Sequence, residues 1–415
     1  MVSKFTIVWL IGLAIIGTSF LQGVNTGASA ELVRQMRVAF VIAIQGTLLA
    51  VLATCFGHSL TFRPSASGFS LTLYILTCGF SLAGHPEWLF GTWKIFEFLM
   101  YVLWAYTASL LLRDRLVDVS QIGLNTLLTL VTAGVVLSIF VAPEIAWNTL
   151  PSIIPYQLRG GFLPINSNDL AMILLTGIIY TSFAVARAFP RRLFVLVLLA
   201  LLVATQNRTA VVYLMAFALF NSKFGWPVAL IGLIALGTDQ SIISTMGDAI
   251  TRGDISNILT GNGRVIIWTS VLPEVKNAIL LGYGFYVGHR FFSLSGGQFN
   301  LENVNTYDNT FLDILFDTGI IGLTAFILFI FSVGYRLYGT RLECLPRYYV
   351  RFMRWLAPFF LVDAVMGPTV QTFGLNLTVY TFAFLPVFTR PATKPAVGAI
   401  MTGRSDYLAE SGEKR

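Results

Sequence analysis

The residues best suited to chemistry in this chain are arginines and a carboxylate placed at the mouths of apolar runs. Arg208 lies in Ala204-Thr205-Gln206-Asn207-Arg208-Thr209-Ala210, between two such runs. An arginine there needs water, a carboxylate or a phosphate, and its planar fork suits phosphate oxygens. The plain alternative is a side chain snorkelling to the interface. Arg264 follows Gly261-Asn262-Gly263 and opens the segment 265–281, where Val265, Trp268, Leu272, Val275 and Ile279 recur at helical spacing. That spacing predicts an amphipathic helix on a membrane surface, bent at Pro273, with Arg264 adding to the positive end where an anion binds. Its alternative is a solvated surface arginine. Asp308 stands just before another apolar run and reads either as a general base for a hydroxyl or as a helix cap. Asp313 and Asp317 follow inside that run, where a carboxylate suggests function or, before Thr318-Gly319, a local break. Arg159-Gly160-Gly161-Phe162, with Asn166 and then Asn168-Asp169, forms a polar approach to a further run, and Asn168 or Asp169 could cap it. Arg290, beside His289, is another candidate cation.

The elements that must position these residues are membrane helices. The chain is 56% hydrophobic and 11% charged, with a mean hydropathy of +0.75, where soluble domains are about 25% charged. Charges gather between apolar runs, which is the pattern of a helical bundle rather than an outer-membrane barrel. Cys55, Cys78 and Cys344 suggest no disulfide framework. His58, His85 and His289 are scattered without metal-ligand spacing, so neither a metal nor a cofactor is expected. At about 20 residues per span, fewer for short helices, about twelve transmembrane helices are expected: 5–22, 38–56, 69–83, 94–112, 122–142, 169–187, 193–205, 209–220, 226–237, 309–333, 352–367 and 373–388. The run 193–220 is open to a second reading, as one helix interrupted at Gln206-Asn207-Arg208. The first run, followed by Ala28-Ser29-Ala30, imitates a signal peptide but is long for one and reads as an uncleaved span.

Lysine and arginine bias sets the orientation. With the N-terminus inside, 18 of the 27 basic residues face the cytoplasm, and both termini lie there. The +7 net charge then reflects this bias and calls for no nucleic acid. Four regions follow: a transmembrane bundle over 1–237, a large outer loop over 238–308 with the amphipathic helix 265–281, further transmembrane helices over 309–389, and a tail over 390–415 of disordered composition. No internal repeat of the kind seen in many transporters is visible.

At these residues the sequence resembles the superfamily of O-antigen ligases and Wzy-type polysaccharide polymerases. Four pieces match in order: Arg159-Gly160-Gly161-Phe162 through Asn166; Gln206-Asn207-Arg208-Thr209-Ala210; Gly261-Asn262-Gly263-Arg264 with Ile267-Trp268 and then Leu281-Gly282-Tyr283-Gly284-Phe285; and Asp308-Asn309-Thr310-Phe311-Leu312 with Gly319-Ile320-Ile321-Gly322. The resemblance implies a GT-C-like all-α polytopic protein of the bacterial inner membrane, with the outer loop in the periplasm. It implies inverting, metal-independent glycosyl transfer from a glycan on undecaprenyl diphosphate to a glycan acceptor. A chain-length regulator and a flippase of the same pathway are the further partners it implies.

Arg208 and Arg264 match the arginines that hold the diphosphate, and a departing diphosphate needs its charge neutralised. Asp308 falls in the position of the base or acceptor orienter, and Arg159, Arg290, Asn309 and Trp268 complete the implied substrate-binding set. Ligases usually carry a histidine where Asp308 stands, which turns the expectation toward polymerases. The alternatives are an O-antigen ligase acting on lipid A-core and, from another class, a lipid-linked-glycan flippase. A flippase would place its polar groups at mid-membrane depth, whereas here they concentrate between Thr238 and Asp308.

Overall fold

The computed structural model describes residues 3–21, 30–56, 66–112, 115–149, 156–162, 165–184, 189–221, 264–289, 307–339, 342, 345–366 and 375–388. The helices are α1 (Lys4–Leu21), α2 (Ala30–Phe56), α3 (Ala66–Ser81), α4 (Trp88–Leu111), α5 (Leu116–Val141), the single turn α6 (Pro143–Ala146), α7 (Ser167–Ala184), α8 (Phe189–Ala204), α9 (Arg208–Asn221), α10 (Arg264–Val275), α11 (Thr310–Gly339), α12 (Arg347–Met366) and α13 (Leu375–Phe384). Eleven of the expected spans overlap a helix, and the span expected at 226–237 lies outside the described residues. Among the described residues, four helices are long and apolar enough to cross a membrane on length and composition alone: Leu32–Thr54, Trp88–Leu111, Leu116–Val141 and Thr310–Gly339. The chain is an all-α membrane protein in its main architecture.

Many helix exteriors are apolar and exposed, as with Phe140, Phe220 and Phe331, while Val8, Leu48, Trp104, Val131, Ile173, Phe352 and Ala383 fill one interior. Apolar groups on both sides are what a helix needs when its outer solvent is lipid. The interruption at 206–208 separates two helices, α8 and α9. An antiparallel hairpin not signalled by the residue pattern, β1 (Trp147–Thr149) and β2 (Tyr156–Leu158), lies between α5 and α7, with Asn148 paired to Gln157. Three-residue strands are too short for a period to show.

The bundle has two distinguishable ends. Arg115, at the start of α5, lies over the Phe5 ring with its guanidinium carbon 4.3 Å from the centroid. The Gln121 amide donates to the Tyr348 hydroxyl at the start of α12, and Arg336, near the end of α11, donates to the Val387 carbonyl. These contacts gather Lys4, Arg115, Arg336 and Arg347 at one end. The starts of α7, α9 and α11 lie at the other.

One cluster of charges drawn inside is mutually paired. Glu97 of α4 accepts from Arg37 of α2 at 2.7 Å, from Lys94 at 2.9 Å and from the Trp93 indole at 2.8 Å. Arg37 and Lys94 therefore lie within helices that begin earlier than the apolar runs suggested, at Ala30 and Trp88. A polar side chain can enter a helix end at the interface when a partner on a neighbouring helix meets it.

α11 packs most extensively on α3 and is broken at Gly319 (φ 65°, ψ −169°), a backbone region only glycine adopts readily. At the break the helix exchanges hydrogen bonds of its own for bonds to the segment 279–284. Tyr283 and Gly284 donate to the carbonyls of Phe316 and Asp317 at 2.8 and 2.9 Å, while Ile320 donates to Ile279 at 2.8 Å. The two backbones meet so closely that a Cβ on Gly319 would lie 2.2 Å from the Leu280 oxygen, and one on Gly282 2.5 Å from the Phe316 oxygen. These bonds satisfy backbone groups that the break frees.

Candidate functional site

The site is built on the start of α11. Asn309 caps this helix: its Oδ1 accepts from the amides of Phe311 and Leu312 at 3.0 and 3.1 Å. The capping role that the sequence left open for Asp308 therefore belongs to its neighbour. Asp308 takes a left-handed conformation (φ 50°), which aspartate tolerates better than most residues. Its carboxylate turns to Arg264, with Oδ2 3.3 Å from Nε. The Arg264 side chain is 17% exposed and that of Asp308 43%. A partly exposed pair at this distance contributes about 0.2–1 kcal/mol, so another anion can displace it.

The peptide before Asp308 is held from both sides. The Trp268 indole donates to the Tyr307 carbonyl at 2.8 Å, and the Tyr307 amide donates to Asp313 Oδ1 at 2.9 Å. The Tyr307 ring is buried edge-to-face on Phe316, their centroids 5.2 Å apart, and burial pushes its phenol well above the usual tyrosine range. Trp268 thus has its indole N–H committed to positioning Asp308.

α10 places both Arg264 and Trp268. It ends at Val275, with a 3-10 turn over Lys276–Ala278, shorter than the expected 265–281. Its buried face is Val271 and Val275, with Ile267 and Trp268 packed beside them on Tyr307, Leu312 and Phe316. Val265, Leu272 and Ile279 of the expected stripe are exposed instead. The helix is apolar on two sides, and a single helical stripe could not show which side meets protein.

One turn beyond Asp313, Asp317 anchors the segment 286–289. It accepts from the amides of Tyr286 and His289 and pairs with the His289 ring at Nδ1, each at 2.8 Å. His289 and Asp317 are buried. Nothing in their spacing of 28 residues signals the pair, because the break at Gly319 brings them together.

The sixth and eighth expected spans begin at the same end. Asn166, rather than Asn168 or Asp169, caps α7. Its Oδ1 accepts from the Asp169 amide at 2.7 Å, and its Nδ2 donates back to the Asp169 carboxylate at 2.8 Å, a reciprocal arrangement like a capping box. Asp169 also accepts from Asn376 of α13 at 2.6 Å and lies near enough to Asp308 for their charges to oppose each other. Asn207 caps α9 through the Ala210 amide at 2.9 Å and donates to Asn168 at 3.1 Å. Arg208, the first residue of α9, accordingly opens at the end that holds Asp169 and Asp308. Its side chain lies outside the described residues, as does the whole of Arg290. Arg159 is exposed after β2, its amide donating to the Ala146 carbonyl at 2.7 Å.

Residues 159–327 match the family model of the O-antigen ligases. This stretch is similar to the O-antigen ligase and Wzy superfamily, which the match supports. The members of this superfamily are glycosyltransferase-like enzymes, ligases or polymerases, whose substrates are lipid-linked glycans in a membrane. The match opens at Arg159 and closes beyond the Gly319 break, so it spans the starts of α7, α9, α10 and α11 that the structure gathers at one end. No curated protein matches the chain.

Proposed function

We propose that this protein is a Wzy-type polysaccharide polymerase of the bacterial inner membrane. It transfers a glycan from undecaprenyl diphosphate to a sugar hydroxyl of another lipid-linked repeat unit. In this reading the chain has twelve spans, both termini lie in the cytoplasm, and the Arg264–Asp308 end lies in the periplasm, where exopolysaccharide, capsule or O-antigen repeats are joined. The observation that carries this reading is the Arg264–Asp308 pair. It sets a cation suited to phosphate beside a carboxylate suited to take a proton, on a peptide held by Trp268 and Asp313.

In the mechanism, the donor diphosphate takes the Arg264 guanidinium from Asp308, with Arg208 as its second cation. The released carboxylate accepts the proton of the acceptor hydroxyl as that oxygen bonds the anomeric carbon. The anomeric carbon–oxygen bond to the diphosphate breaks on the opposite face, inverting the centre. The leaving diphosphate carries the electron pair away, stabilised by the arginines. Arg159 and Arg290 extend the cationic surface for donor and acceptor.

The family description favours a second reading, an O-antigen ligase acting on lipid A-core. Glycan analysis of a deletion strain separates the two. Single repeats on lipid A are the expected outcome for a lost polymerase. Full-length chains stranded on undecaprenyl diphosphate would reject the polymerase and identify a ligase, and repeats trapped on the cytoplasmic face would identify a flippase.

A further inference from the structure

At the end of the bundle opposite Asp308, the junction of α11 and α12 encloses an open cavity of about 480 Å³. Arg347, Arg351 and Arg354 line it together with Leu342, Leu345 and Val350. The arginines recur at i, i+4 and i+7, which puts them on one face of α12. Among the described residues, no carboxylate lines the cavity, and neither Arg347 nor Arg351 has an ion pair or side-chain hydrogen bond. Arg354 is held in place: its Nε donates to the Leu337 carbonyl at 3.1 Å and its guanidinium lies over the Tyr338 ring. That bond uses one of five N–H donors. Arg347 is also the first residue of α12, so the positive end of the helix adds to the same field.

We propose that this cavity binds the headgroup of an anionic phospholipid of the cytoplasmic leaflet. The three arginines take the phosphate and the aliphatic half of the lining takes the first carbons of the acyl chains. A free phosphate would use the arginines alone and leave Leu342, Leu345 and Val350 facing water. The donor diphosphate is not the occupant, because the straight part of α11 beyond Gly319 separates this cavity from Asp308 by roughly 30 Å. Basic pockets between helices at the cytoplasmic side recognise anionic headgroups by this chemistry.

The test is native mass spectrometry of the purified full chain with phosphatidylglycerol, with phosphatidylcholine, and with inorganic phosphate as competitor. Phosphatidylglycerol is retained preferentially, and millimolar phosphate does not displace it. The Arg347→Gln/Arg351→Gln double variant, melting at the wild-type temperature, loses about fivefold in affinity per arginine, about 25-fold together. The Arg347→Lys/Arg351→Lys variant keeps most of the retention. Equal retention of both lipids, or an unchanged double variant, would overturn the proposal. Displacement by inorganic phosphate would also overturn it and make the cavity a site for a soluble anion.

Discussion

Because Asn309 caps α11, replacing Asp308 by Asn leaves the helix start intact and removes the carboxylate proposed to accept a proton, together with its ion pair to Arg264. We expect Asp308→Asn to lower polymer formation about 10²–10⁴-fold, the range of general-base catalysis, with no shift in melting temperature. Activity within a few-fold of wild type would remove the base from the mechanism. Arg264 separates charge from shape. Arg264→Ala should cost about 10²–10³-fold in rate, as when one transition-state donor is lost. Arg264→Lys should recover only part of it, because an ammonium lacks the fork. Full recovery with Lys would reduce the role of Arg264 to a point charge. Both variants are read from lipid-linked product formed by purified protein at matched expression. These two side chains were legible as candidates from their positions at the mouths of apolar runs. Their direct contact was not, since 44 residues separate them.

The elements decide how firmly that pair is held. α11 carries three connected features: the cap at Asn309, the carboxylates Asp313 and Asp317 one turn apart, and the break at Gly319. The break lets the segment 279–284 bond to α11 through its backbone, and Asp317 then receives Tyr286 and His289. A Cβ at Gly319 meets the Leu280 oxygen and forces a conformation outside that of other residues. Gly319→Ala should therefore cost at least about 2 kcal/mol, combining backbone strain and overpacking. The check is thermal unfolding in detergent, followed by size exclusion. A variant melting within about 0.5 kcal/mol of wild type, the size of a neutral surface change, would show that the two backbones can separate freely. The Thr318-Gly319 pair marked a local break in the sequence, but what filled it could not be read. Backbone-to-backbone bonds leave no pattern in side-chain types.

At the scale of the molecule, the two ends of the bundle differ in chemistry. One gathers the starts of α7, α9, α10 and α11 with Asp169, Asn207, Arg264 and Asp308. The other carries Lys4, Arg115, Arg336 and the arginines of α12. This polarity agrees with a positively charged cytoplasmic face and a reaction at the opposite face. The proposed reaction neutralises the leaving diphosphate with guanidinium groups. We therefore expect a chelator to leave the rate of the purified enzyme unchanged. Inhibition by EDTA, reversed by added magnesium, would assign charge neutralisation to an ion instead.

The sequence by itself determined the solvent, the element type and the roster of candidate groups. Lipid demands long apolar runs, and whatever charge remains must stand at their ends or be paired inside; both constraints are local enough to read from one chain. Only the tertiary structure decided which groups meet. The cap passed to Asn309, Trp268 and Asp313 were assigned to the Tyr307 peptide, and Asp317 was assigned to His289. The Trp268 contact depends on the side of α10 that faces protein, and the His289 contact on the bend at Gly319. A helix apolar on two sides has no preference written in its own residues, so packing against α11 chose for it.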